Sequence, residues 1–193
     1  PFYWVPQPEV ERRLGEWRHQ WLLAFRDVTN SINERTAVFS MLPRVGVGHK
    51  APVVLWDAAP RARSGSCLLA CLNSLTCDYV ARQNIGGMSL SYFILKQLPV
   101  LPPSAYVEAD LLVIVARVVE LVYTAWDIKA FADDVWREGD DALRTALRRR
   151  WDANQSETGG HTWDPPEWAE IADDGCPLPP FKWNEDRRAT LRA

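Results

Sequence analysis

The chain predicts a mixed α+β fold, a small sheet packed with helices and followed by a helical C-terminal annex. Three observations lead there. Short β-rich runs that stop at Pro or Gly alternate with helix-period segments in the first half. The second half is helical in pattern up to a long Gly-, Pro- and Trp-rich stretch, and no internal repeat is present. With 47% hydrophobic and 24% charged residues, the 193-residue chain holds enough apolar material for a core. The expected division is an α/β domain over 1–104 and a helical segment over 105–193.

The elements follow in order. Residues 9–27 put Val10, Leu14, Trp17, Trp21 and Phe25 at helical spacing and predict one amphipathic helix. Thr36–Leu42 is β-rich and stops at Pro43, which predicts a strand. Arg44–Lys50 follows as a flexible, glycine-containing loop, and Pro52–Trp56 as a second short strand. Residues 58–66 read as a polar loop with Ser66 as N-cap for a helix over 67–83, where Leu68, Leu72, Leu75 and Tyr79 form one stripe. Gly86 and Gly87 end that element, and Leu90–Leu95 predicts a third strand. The most apolar segment, 107–124, is interrupted by Asp110, Arg117 and Glu120, so it predicts a buried helix and not a membrane span. A short helix over 127–135, a charged helix over 139–152 and a long loop over 153–180 complete the chain. Arg148, Arg149 and Arg150 read as a solvated helix end in preference to a phosphate clamp.

Ten Trp read mainly as core payload. Four Cys at 67, 71, 77 and 176 lack a CxxC pairing and form no cluster with the three His, so reduced thiols, no zinc site and a cytoplasmic setting are expected. Neither a leader nor a membrane segment is read. The first residue, Pro1, and the charged end at Ala193 read as cuts inside a longer protein.

The net charge of −3 hides an asymmetry. Residues 1–34 carry four basic and five acidic side chains, 35–100 seven and two, and 101–193 eleven and eighteen. A basic middle between acidic flanks is what one phosphate-facing surface requires. Catalytic sets are missing: there is no GxSxG, HExxH, Walker-type or kinase pattern, and the GVG of Arg44–Lys50 lacks the third glycine of a dinucleotide loop. No catalytic residues are therefore expected in the fragment, and whether it acts as an enzyme stays open.

Several segments together carry a resemblance. FRDVTNSINERTAVFSMLPRVGVGHKAPVV, then LLACLNSLTCDYVARQNIGGMSLSYFILKQLPVLPP, then ARVVELVYTAWDIKAFADD and PFKWNEDRR occur in this order. The ordered set resembles the C-terminal target-recognition region of the adenine-specific DNA methyltransferases of type IIG restriction–modification and phage-exclusion systems. Residues 136–179 depart from that pattern as an apparent insertion. The family's Asn-Pro-Pro-Tyr type motif and Gly-rich cofactor loop are absent. The resemblance implies a DNA-sequence-recognition fragment whose parent methylates adenine. S-adenosylmethionine would be held by a separate methylase domain, with no cofactor in this fragment. The implied partners are double-stranded DNA, the methylase domain of the same polypeptide and other proteins of a defence system, with no membrane. Fusion to an endonuclease stays open.

Base readout needs Arg or Lys for guanine and phosphate, and Asn or Gln for adenine. The candidates on that ground are Arg44, His49 and Lys50 on the first loop and Arg61 and Arg63 on the second. Arg82, Gln83 and Asn84 stand before Gly86 and Gly87, where bare backbone amides suit a phosphate; Ser89 and Lys96 follow. Arg35 reads as one half of a fold-stabilising pair with the adjacent Glu34. Two rival readings are a protein-docking module of the same defence complex, suited by the acidic 101–193 segment, and an autonomous nuclease.

Overall fold

A computed structural model describes residues 5–56 and 61–192; Asp57 and the opening of the expected 58–66 loop lie outside the described residues. Among them the chain is mixed α+β, with eight α-helices and one three-stranded antiparallel sheet. The chain divides into two compact units, Pro1–Pro60 with Leu68–Pro103, and Arg61–Cys67 with Ser104–Ala193.

The first unit holds α1 (Gln7–Leu14), β1 (Trp21–Phe25), β2 (Phe39–Pro43) and β3 (Val53–Val54) in the sheet order β2-β1-β3. Leu23 of the central strand faces Met41 on one side and Val54 on the other. The single helix expected over 9–27 is thus a helix and a strand. Gly15, at φ 56°, ends α1 in a conformation that side chains disfavour. WLLAF is then buried at all five positions. A run apolar at every position fits a buried strand as well as a helix, and burial on both faces decides it. Trp17 closes the strand's end: its indole N–H donates to the Trp21 carbonyl at 2.8 Å, and its ring meets Trp21 and Trp56 edge-on at 5.6 and 5.0 Å.

The helix expected over 67–83 is two, α2 (Ala62–Leu72) and α3 (Leu75–Asn84). Asn73 leaves the helix to complete the sheet edge, accepting the Phe39 N–H and donating to the Phe39 carbonyl, each at 3.0 Å. Ser74 caps α3 by accepting the Cys77 N–H at 3.1 Å. The break turns the second half of the predicted stripe out of the core, leaving Leu75 and Tyr79 76% and 64% exposed while Leu72 stays buried and Cys77, Asp78 and Ala81 turn inward. Ser66 is not an N-cap. Residues 62–66 are already helical, its hydroxyl donates to the Ala62 carbonyl, and the Glu138 carboxylate takes the first amides, of Ala62 and Arg63, at 2.8 and 3.0 Å. Leu90–Leu95 is likewise not a strand. Ser91 caps a one-turn helix, α4 (Tyr92–Leu95), and the extended pairing there is a bridge between Val28 and Ser89.

Asp78 joins these pieces. Its Oδ1 accepts the amides of Thr36 and Ala37 at 2.8 Å each, while Arg82 and Arg35 approach at 3.0 and 3.5 Å. Burial alone would raise its pKa. The amides of Ala37 and Thr36 with the two guanidiniums outweigh it and hold the carboxyl below its ordinary value.

The second unit contains α5 (Glu108–Val122), α6 (Lys129–Glu138), α7 (Asp141–Thr158) and α8 (Glu185–Arg192), a helical annex of the expected kind. Asp140 caps α7 through the Leu143 amide, and Gly159 ends it at φ 78°. Helix α7 therefore runs past 152, and the irregular loop begins at 159. Residues 136–179, read as an insertion, include α7 with its buried Leu143 and Leu147. The long loop is stapled by buried polar side chains. Asp133 accepts the Cys176 amide at 2.7 Å, Lys129 donates to the Cys176 carbonyl at 3.0 Å, and Asn154 takes both the amide and the carbonyl of Lys182. No helix among the described residues is long and apolar enough to cross a membrane.

Two predictions follow from these joints. The stability that ionised Asp78 supplies is complete at neutral pH. It falls away as pH drops below about 4, because the unfolded carboxyl protonates before the folded one. Asp78→Ala should cost about 3 kcal/mol at pH 7 and flatten the acid limb of a urea-unfolding pH series. At Gly175 a Cβ would lie 2.6 Å from the engaged Asp133 Oδ1, so Gly175→Ala should lower stability by about 1–3 kcal/mol in the same assay.

Candidate nucleic-acid interface

The first loop begins at the end of β2. Arg44 donates its backbone N–H to the Gln20 carbonyl at 3.0 Å; its guanidinium is half-buried, and Nε lacks a partner among the described residues. His49 and Lys50 are exposed in a turn closed by the Ala51 N–H on the Gly48 carbonyl at 2.9 Å. The chain after α3 meets this turn through a residue the sequence reading passed over, Asp27. Ser89 Oγ donates to one oxygen of Asp27, and Lys50 Nζ lies 3.5 Å from the other. The Ser89 hydrogen bond, opposed by partial burial and reinforced by Lys50 and His49, holds the Asp27 carboxyl below its ordinary value. Backbone pairing secures the junction, with Asp27 N–H donating to the Lys50 carbonyl at 3.1 Å and Leu90 N–H to the Asp27 carbonyl at 2.8 Å. His49, Lys50 and Ser89 are thereby gathered around one carboxylate, which neutralises part of the Lys50 charge.

Arg82 has a different place. Its guanidinium turns inward to Asp78 and to the carbonyls of Ser31 and Glu34, at 3.0, 2.8 and 3.1 Å. It pins the 30–36 loop to α3. Arg35 does related work, donating to the Asn73 carbonyl and lying 3.5 Å from Asp78, partners other than the adjacent Glu34 that the sequence suggests. Gln83 is exposed, and Asn84 donates to the Val80 carbonyl at 2.8 Å. Gly86 and Gly87 are exposed, and a Cβ at either would meet nothing within 4 Å. Internal crowding therefore does not require them to be glycine, and their amides are approachable from outside. Lys96 is exposed at the end of α4.

Arg61 and Arg63 belong to the second unit, apart from the other ten candidates. Arg61 is exposed, whereas Arg63 pairs with Glu108 at 2.8 Å. An open groove of about 720 Å³ runs between α1 and the sheet, and His49, Val47, Leu22, Leu14 and Tyr92 are among its walls. Its lining is chiefly aliphatic, with Glu9, Arg13, His49 and Tyr92 as the polar side chains. Among the described residues no group of three His, Cys, Asp or Glu could hold a metal. The four Cys are free thiols. Burial raises Cys77 and Cys176 to about 11, which leaves both thiols protonated and unreactive at neutral pH.

Arg82→Ala should reduce stability by about 2 kcal/mol in urea titration, because it strands Asp78 and two carbonyls. Gln83→Ala and Lys96→Ala should leave the midpoint unchanged. No family model matches the chain, and neither a curated protein nor a solved structure is similar to it.

Proposed function

We propose that this chain is the DNA-sequence-recognition fragment of an adenine-specific, S-adenosylmethionine-dependent DNA methyltransferase of a restriction–modification or phage-defence system. The supporting observation is the junction at Asp27. It brings the basic 44–50 turn against the 85–91 segment, so that His49, Lys50 and Ser89 lie together. Gln83 and Lys96 add exposed polar groups on elements of the same unit. These side chains have the chemistry to contact phosphates and base edges. The ordered sequence resemblance supplies the enzyme class. In this reading the fragment holds no cofactor; the methylase domain of the same polypeptide binds S-adenosylmethionine and acts on the flipped adenine.

A second reading, docking onto a protein partner of the defence complex, is favoured by exposed apolar side chains in the same unit. Phe93, Leu75, Met88 and Tyr79 are 77%, 76%, 70% and 64% exposed.

A fluorescence-anisotropy titration of random duplex DNA at two salt concentrations separates the two. Recognition predicts affinity that falls steeply with salt, with Lys50→Ala and Lys96→Ala each lowering the log–log salt slope by about 1. Arg82→Ala is unsuitable as the probe because its guanidinium holds the fold. Absence of binding at low salt would overturn DNA recognition by this fragment and leave docking.

A further inference from the structure

Three consecutive arginines on α7 have three different surroundings. Arg148 lies over the Trp136 ring, 5.1 Å from its centroid. Arg150 turns inward to Glu120 at 2.8 Å. Arg149 is exposed and has no hydrogen bond or ion pair among the described residues. Beside Arg150, Arg187 of α8 engages the same Glu120 at 2.7 Å and Glu157 at 2.9 Å.

Arg149, Arg150 and Arg187 together line an open hollow of about 550 Å³ at α5, α7 and α8. Leu112 and Val113 of α5 border the hollow on one side, and short side chains of α7 leave it open on the other. Ala142, Ala146 and Ala153 recur on α7 at helical spacing, with Ala116 on α5, so no long side chain fills the space. The charges do not cancel. Glu120 and Glu157 balance Arg150 and Arg187, which leaves Arg149 and the nearby Arg117 of α5 without a carboxylate. Arg117 senses the crowding: burial first, then Arg150 and Arg187 against the pull of Glu120, depress its pKa.

We infer that the hollow at α5, α7 and α8 is a phosphate-binding site, with Arg149 as the principal free ligand and Arg150 and Arg187 as its fixed cationic wall. Glu120 holds the part-buried Arg150 and, with Glu157, the buried Arg187, so the wall is ordered before an anion arrives. The planar fork of Arg149 suits two oxygens of one phosphate group. The volume exceeds that of a single inorganic anion and leaves room for an attached ester. The shared chemistry is a phosphate, carried either by a small ester or by the nucleic-acid backbone. This site lies wholly in the second unit and does not rest on the reading of the first.

The test uses the full chain with 15N-labelled arginine. Side-chain Nε–Hε signals are followed while inorganic phosphate is titrated at constant ionic strength against chloride. Saturable shifts of Arg149 and Arg150 at millimolar phosphate are expected. In Arg149→Gln the affinity should fall about tenfold with the unfolding midpoint unchanged. Shifts that chloride reproduces, or an Arg149→Gln variant that binds as before, would overturn the site. Competition by a short random duplex assigns the bound group to a phosphodiester; competition by glycerol phosphate and not by the duplex assigns it to a small ester.

Discussion

The buried carboxylate of Asp78 is the joint on which the first unit depends. A two-residue β3 and a five-residue β2 give the sheet little pairing of its own. What fixes the segment leading into β2 to α3 is one side chain that accepts the amides of Thr36 and Ala37 and receives Arg82 and Arg35. Three adjacent features depend on it. The 30–36 loop is held through Arg82, the start of β2 is aligned so that Phe39 meets Asn73, and α3 is turned with Tyr79 outward. A buried acid is tolerated there because every approach to it is a donor.

The second unit repeats the principle with other residues. Glu120 is fully buried near the C-terminal end of a mostly apolar helix and is accommodated by two guanidiniums from α7 and α8. Asp133 and Asn154 perform the equivalent service for backbone, replacing sheet or helix partners for the amides of Cys176 and Lys182. These contacts order a segment without regular structure. Phe181 is thereby buried, and its own N–H donates to the Tyr123 carbonyl at 2.8 Å. Long irregular chain is stable here because its polar groups are paired one by one.

The arginines show why residue type alone is a poor guide to a binding surface. On paper Arg82 is the better candidate contact, standing before Gly86 and Gly87, and Arg149 reads as part of a solvated helix end. Arg82 is consumed by Asp78 and two carbonyls, whereas Arg149 faces solvent with nothing to neutralise it. In the candidate interface, the exposed positions of His49, Gln83 and Lys96 follow from their loops and helix ends, which was legible. The inward turn of Arg82 was not, because it depends on carbonyls about fifty residues away along the chain. Asp27 escaped notice for the same reason, since its partners Lys50 and Ser89 become neighbours only through backbone pairing.

The sequence by itself determined the mixed α+β class, the helices of the annex and the interruption of the most apolar segment by charge. Each rests on a local signal: helical period over α5 and α7, and Asp110, Arg117 and Glu120 within an apolar run. Tertiary structure decided the rest where the local signal was degenerate. WLLAF is apolar at every position, so only its burial between β2 and β3 makes it a strand. The segment through Asn73 has an unbroken helical pattern, and only the Phe39 backbone gives that side chain a reason to leave the helix. Leu90–Leu95 has strand-forming residues but pairs with neither edge strand of the sheet, and Ser91 turns it into a helical turn. Periodicity reports what a segment can bury; the available partner decides which geometry buries it.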